Sequence, residues 1–152
     1  MTLKRGRKNR MGETSPYLVA IGAAWLVSQV AKYLLSVVKS HSFSNLRLLY
    51  QSGSMPSVHS AVMTAVTTVI GLRDGVESGL FALAVVITVV VMYDAMQVRR
   101  AVGDQGLALQ DLLERAKITK KSHHALGHKP FEVVVGAILG TGVAFFITYL
   151  FR

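Results

Sequence analysis

The sequence predicts an all-α fold: a polytopic integral membrane helical bundle with about four spanning helices plus an amphipathic interfacial helix. Three observations carry that expectation. Of the 152 residues, 51% are hydrophobic and only 16% are charged, well under the roughly 25% charged share of a soluble domain. The apolar residues are gathered into long blocks instead of alternating with polar ones. The 17 Lys and Arg against 8 Asp and Glu give a net charge of +9. Beside such blocks, that charge fits an anionic lipid surface or anionic substrate and not nucleic acid. The length suits one domain on a prior of about 150 residues each. No Cys is present, which excludes a disulfide scaffold, a thiolate metal site and a Cys nucleophile.

Residues 1–15 form a basic head containing Lys4, Arg5, Arg7, Lys8 and Arg10. Residues 16–152 then form a single membrane-embedded domain. The first span is expected near 16–38, since about 20 apolar residues cross a hydrocarbon core of about 30 Å. Pro16 suits a helix start with Ser15 as a possible N-cap, and Gln29 and Lys32 lie toward its far end. Residues 39–55 are polar and Ser-rich. The second span, near 57–72, is short and made of small residues. Arg73-Asp74-Gly75 marks a tight turn, and the almost wholly apolar third span lies near 79–93.

Residues 94–130 form the longest polar stretch, within which Gly106–Lys117 carries apolar residues at helical spacing, the mark of an amphipathic interfacial helix. The last span, near 131–151, contains Gly136-x-x-x-Gly140, a spacing that admits close helix approach, within the chain or in a homodimer. Four spans put the polar loops at 39–56 and 94–130 on the same membrane face. A basic head argues for a cytoplasmic N-terminus, yet nine Lys/Arg lie on the polar-loop side against seven on the other. A compact membrane chain with a basic head has the style of a bacterial cell-membrane protein.

Three clusters carry candidate chemistry. In Ser54-Met-Pro-Ser57-Val-His59, Ser54 can cap the second helix, with Pro56 in its first turn. The N–H groups around Ser57 would then form a phosphate site at the helix start, and His59 can donate a proton near neutral pH. The bland alternative is a capped helix with an interfacial His. In Gly127-His128-Lys-Pro130-Phe-Glu132, the i,i+4 spacing sets His128 and Glu132 on one helix face. A carboxylate there fixes the imidazole tautomer and leaves the other nitrogen to attack; the alternative is an interfacial His and a Glu stabilised at a helix N-terminus. Asp94 followed by Arg99 and Arg100 suggests a guanidinium clamp for phosphate, or equally a pair of boundary anchors. His123 and His124 read as an incidental pair, so no metal and no cofactor is expected.

Taken in order, Ser54-Met-Pro-Ser-Val-His-Ser-Ala61, Met92-Tyr-Asp-Ala95 with Val98-Arg-Arg100 and Gly103, and Gly127-His128 with Pro130 and Glu132-Val133 resemble the divergent branch of the type 2 phosphatidic acid phosphatases, relatives of the vanadium-dependent haloperoxidases. The resemblance covers roughly residues 16–150. It implies that Pro56-Ser57-Val58-His59 matches the superfamily's Pro-Ser-Gly-His motif, with Val58 in the Gly place. It makes His128 the nucleophile that forms a phosphohistidine, with Glu132 in place of the usual Asp, and His59 the general acid. Lys39 and Arg47 are the best matches to the upstream phosphate-binding Lys and Arg, with Lys32 as the alternative. The family's Ser-Arg pair before the nucleophile falls at Lys121-Ser122, so its Arg is missing; Arg99 or Arg100 can substitute. The span count is four where familiar members have six.

The expectation is a membrane lipid phosphate phosphatase that hydrolyses a phosphomonoester or pyrophosphate headgroup without a metal. The rival is a non-catalytic module that binds anionic lipid headgroups or a partner protein through the same loops. Vanadate peroxidase chemistry is suggested only by the superfamily link, and four short spans leave little room for a transporter.

Overall fold

The structure is a computed structural model that describes residues 15–40, 55–118 and 127–151. Among them the fold is helical throughout: α1 (Pro16–Ser40), α2 (Val58–Asp74), α3 (Gly79–Tyr93), a π turn (Asp94–Val98), α4 (Arg99–Arg115) and α5 (Pro130–Leu150). Pro16 opens α1, where its missing N–H is no loss, and the Ser15 carbonyl accepts from the Val19 N–H at 3.0 Å. The Arg73–Gly75 turn is present, with Gly75 at φ 88°, a conformation only Gly adopts without strain. Ser78 then caps α3 by accepting from the Phe81 N–H at 3.1 Å.

Two expectations are corrected. Among the described residues, three helices are long and apolar enough to cross a membrane, where about four spans were expected: Pro16–Val38, Gly79–Arg115 and Pro130–Leu150. The fourth, α2, has 17 residues and sits at the hub of the bundle, packed by α1, α3 and α5. The expected interfacial helix over 106–117 is not a separate element. Residues 79–115 form one 37-residue helix, about 55 Å long at 1.5 Å per residue, with the π turn in its middle. Residues 94–105 contain no Pro, and their Ala, Met, Gln and Arg are good helix formers. Polarity there marks an exit from the apolar core, not an end to the helix.

Small residues hold the centre. Ala20 and Ala24 of α1, Ala65 and Val69 of α2, and Ala144 and Ile147 of α5 form the buried cluster, and large apolar side chains such as Leu26, Val86 and Phe146 point outward, as lipid-facing residues do. Helix association in lipid relies on such close approach. The Gly136/Gly140 pair is used inside the chain: a Cβ at Gly136 would fall on the Ser57 carbonyl, and one at Gly140 on the Ala61 carbonyl and the Thr64 hydroxyl. Polar bonds cross the same seams. The Thr64 hydroxyl donates to the Ala137 carbonyl at 3.1 Å, and the Thr67 and Thr88 hydroxyls meet at 2.8 Å.

Candidate active site

The start of α2, the start of α5 and the end of α3 converge at one end of the bundle. Three backbone features build the convergence. The Ser57 N–H donates to the Glu132 carbonyl at 3.1 Å, joining α2 to α5. The His128 N–H donates to the Ala95 carbonyl at 3.0 Å, joining the segment before α5 to the π turn. In that turn the ladder runs at i+5 spacing, with the Arg99 N–H on the Asp94 carbonyl, and such turns recur at functional sites. Gly127 lies directly on the backbone of Arg100, where a Cβ would not fit.

Pro130 opens α5, which places Glu132 in its first turn. There the Glu132 Oε2 accepts from the Lys129 N–H at 3.1 Å and lies 3.0 Å from the His128 Nδ1. With Glu132 as a carboxylate, Nδ1 carries the proton and Nε2 presents a lone pair. His128 is only 7% exposed, so its ring is held by packing as well as by the carboxylate. One side chain thus caps the helix and orients the imidazole.

Charged groups surround this pair. Lys32, 7% exposed on α1, is close enough to Glu132 for the two charges to act on one another. His59 lies in the first turn of α2, within electrostatic reach of Arg99, Asp94 and Lys32 and close to His128. The Arg99 Nε donates to the Asp94 Oδ2 at 2.8 Å, which fixes the guanidinium while using one of its five N–H donors.

The structure therefore brings together His128, Glu132, His59, Lys32, Asp94 and Arg99. Arg99 and Arg100 are both exposed; Arg99 is the one whose charge reaches His59, and the backbone of Arg100 lies under Gly127. Arg47 and the side chain of Lys39 lie outside the described residues, as do Ser54, His123 and His124. Two expectations about the start of α2 change. Ser57, not Ser54, is the N-cap, with its hydroxyl 3.4 Å from the Ser60 N–H. Ser57 is also not a phosphate contact: it is 0% exposed, its N–H is taken by Glu132, and its hydroxyl accepts from the Ser60 hydroxyl at 2.9 Å.

Lys32 ranks higher in the structure than in the sequence. The available signal was a lone cation in an apolar span, which is costly unless it has work to do. The Ala95 carbonyl has no side-chain signal at all. Among the described residues, no group of three or more His, Cys, Asp or Glu could hold a metal ion.

The model of the divergent PAP2 family matches residues 14–143, a span that takes in α1 to α4, the first two thirds of α5 and all three sequence motifs. The chain belongs to the divergent PAP2 family. It is also 32% identical over 146 residues to an uncharacterized membrane protein of Bacillus subtilis (strain 168), YuiD, a match that covers 85% of this chain and 91% of the relative. No solved structure matches. With three apolar helices long enough to span and a relative named as a membrane protein, this divergent PAP2 family member is an integral membrane protein.

Proposed function

We propose that this divergent PAP2 family protein is a lipid phosphate phosphatase that acts through a phosphohistidine at His128. The observation that carries the reading is the largely buried His128–Glu132 pair at 3.0 Å, beside Lys32, His59 and Arg99. The substrate class is a lipid phosphomonoester or pyrophosphate.

In the first step the His128 Nε2 lone pair attacks phosphorus and the bond to the leaving oxygen breaks, with His59 supplying a proton to that oxygen. Glu132 accepts from Nδ1–H and stabilises the positive charge that develops on the imidazole. In the second step water attacks phosphorus, the P–N bond breaks, inorganic phosphate leaves and His59 takes up the water proton. Arg99, held by Asp94, and Lys32 neutralise the equatorial oxygens, and such fixed charge supplies most of the rate in phosphoryl transfer. Arg99 here fills the place of the Arg that is missing at Lys121-Ser122.

The test is phosphate release from a panel of lipid phosphates in detergent with EDTA present, comparing wild type, His128→Ala and His59→Ala. The expected result is EDTA-resistant release that His128→Ala abolishes and His59→Ala reduces by roughly 10²-fold or more. No release from any lipid by folded wild type, or release that survives His128→Ala, overturns the reading.

A further inference from the structure

Asp94 and Arg99 meet in a way that a regular helix does not allow. Side chains on an α-helix are neighbours at i,i+3 and i,i+4; five apart, they point about 140° away from one another around the axis. Two pairs further along the same helix keep that rule, Gln110 with Glu114 and Asp111 with Arg115. Asp94 and Arg99 are five apart, yet the Arg99 Nε lies 2.8 Å from the Asp94 Oδ2. The π turn brings them together, because it fits an extra residue into one turn and sets i and i+5 on the same face. The same two residues are also joined through the backbone, from the Arg99 N–H to the Asp94 carbonyl. One pair of residues therefore closes the turn twice.

This closure reaches His128. In a regular α-helix the Arg99 N–H would take the Ala95 carbonyl, four residues back. Here it takes Asp94, and the Ala95 carbonyl accepts from the His128 N–H at 3.0 Å. Gly127, next in the chain, rests on the backbone of Arg100. Both residues of the segment that delivers His128 thus sit on backbone whose register the π turn sets, Ala95 within it and Arg100 just past it. A return to α register would give the Ala95 carbonyl back to the helix. The N–H of His128, a residue only 7% exposed, would lose its acceptor, and a buried donor without one is costly.

We propose that Asp94 is a positioning residue for His128: its bond to Arg99 holds the π turn in register, and the turn holds the backbone of His128. That His128 is a nucleophile rests on the function proposed above, whereas the backbone coupling does not. Asp94 needs no contact with substrate for this role.

The full chain is prepared in detergent with isotope-labelled histidine, and amide hydrogen exchange is read by NMR on the resting protein without substrate; His128→Gln assigns the resonance. The two side chains are 44% and 39% exposed, and loss of a pair of that kind in Asp94→Ala is expected to speed exchange at His128 roughly two- to five-fold, with Tm close to wild type. The double variant Asp94→Arg with Arg99→Asp rebuilds the pair with its charges reversed. It is expected to return exchange at His128 to the wild-type rate while phosphate release stays low, because the cation has left position 99. Exchange at the wild-type rate in Asp94→Ala overturns the proposal and leaves Asp94 only steadying the guanidinium. Faster exchange that follows a fall in Tm, or that the reversed pair does not restore, overturns it in favour of a merely structural role. Absence of phosphate release by wild type would overturn the proposed function and not this coupling, which exchange decides alone.

Discussion

Gly140 and Gly142 lie two positions apart on α5 and face opposite environments, which makes them a matched pair for testing how the site is held. A Cβ at Gly140 meets the Ala61 carbonyl and the Thr64 hydroxyl well inside 3.0 Å, a separation real Cβ atoms essentially never cross, whereas one at Gly142 meets nothing within 4 Å. Both Gly→Ala changes gain the same helix propensity, about 1 kcal/mol, so the difference between them isolates packing. The neighbours of Gly140 are mostly helix backbone, and α5 must retreat from α2 by on the order of 1 Å; overpacking of this kind costs about 1–3 kcal/mol. For a chain of this size that is a gap of roughly 2–12 °C in Tm between the variants. The same retreat separates His59, carried by α2, from His128 and Glu132 at the start of α5, and a 1 Å misplacement lowers turnover by roughly 10²-fold. The assay is thermal unfolding and phosphate release for both variants in one detergent. Equal Tm and equal turnover for Gly140→Ala and Gly142→Ala would refute the reading that this seam sets the site.

Three further outcomes are expected. Glu132→Gln lowers phosphate release by roughly 10²–10⁴-fold while thermal stability stays close to wild type, because the amide oxygen still accepts from the Lys129 N–H; turnover near wild type would remove the carboxylate from the chemistry. Arg99→Gln lowers turnover by roughly 10²–10³-fold, whereas Arg100→Gln changes it only a few-fold, and the reverse order in the same phosphate-release assay would assign the clamp to Arg100. Ser57→Ala destabilises by about 1 kcal/mol through loss of the cap with little change in KM; a large rise in KM at unchanged Tm would return Ser57 to the list of phosphate contacts.

Much of this was legible in the sequence, and the gaps have physical causes. The i,i+4 spacing of His128 and Glu132 after a Pro is a local property of one helix turn, so the 3.0 Å pair followed from the spacing alone. The Arg73–Gly75 turn was likewise local. What was not legible depends on tertiary packing or on backbone alone. The π turn at Asp94–Val98 has no residue signature, and the charges after it look like a loop because polarity alone does not distinguish a helix that leaves the apolar core from one that ends. Gly136 and Gly140 announce close approach but not its partner, and here the partner is α2 of the same chain. Ser54 and Ser57 are chemically equal as caps. Only the bond from the Ser57 N–H to the Glu132 carbonyl, contributed by a residue 75 positions further on, fixes where α2 begins.

The short length of the hub helix connects the fold to the substrate class. With 17 residues, α2 rises about 26 Å, less than the roughly 30 Å hydrocarbon core, while the 25 residues of α1 rise about 38 Å. The far end of α2 is tied down by the bond from Tyr17 to Asp74 and the bond from Arg73 to Phe151. With that end set at one boundary of the hydrocarbon core, a rise of about 26 Å leaves the near end, with Ser57 and His59, about 4 Å inside the other. Charge is expensive at that depth unless it is matched, and the site shows matching throughout: Arg99 on Asp94, Lys32 facing Glu132, and the Glu132 oxygen shared between His128 and the Lys129 N–H. On the proposed function, a phosphate carried by a lipid already resides at the membrane and meets that condition where a freely soluble ester does not.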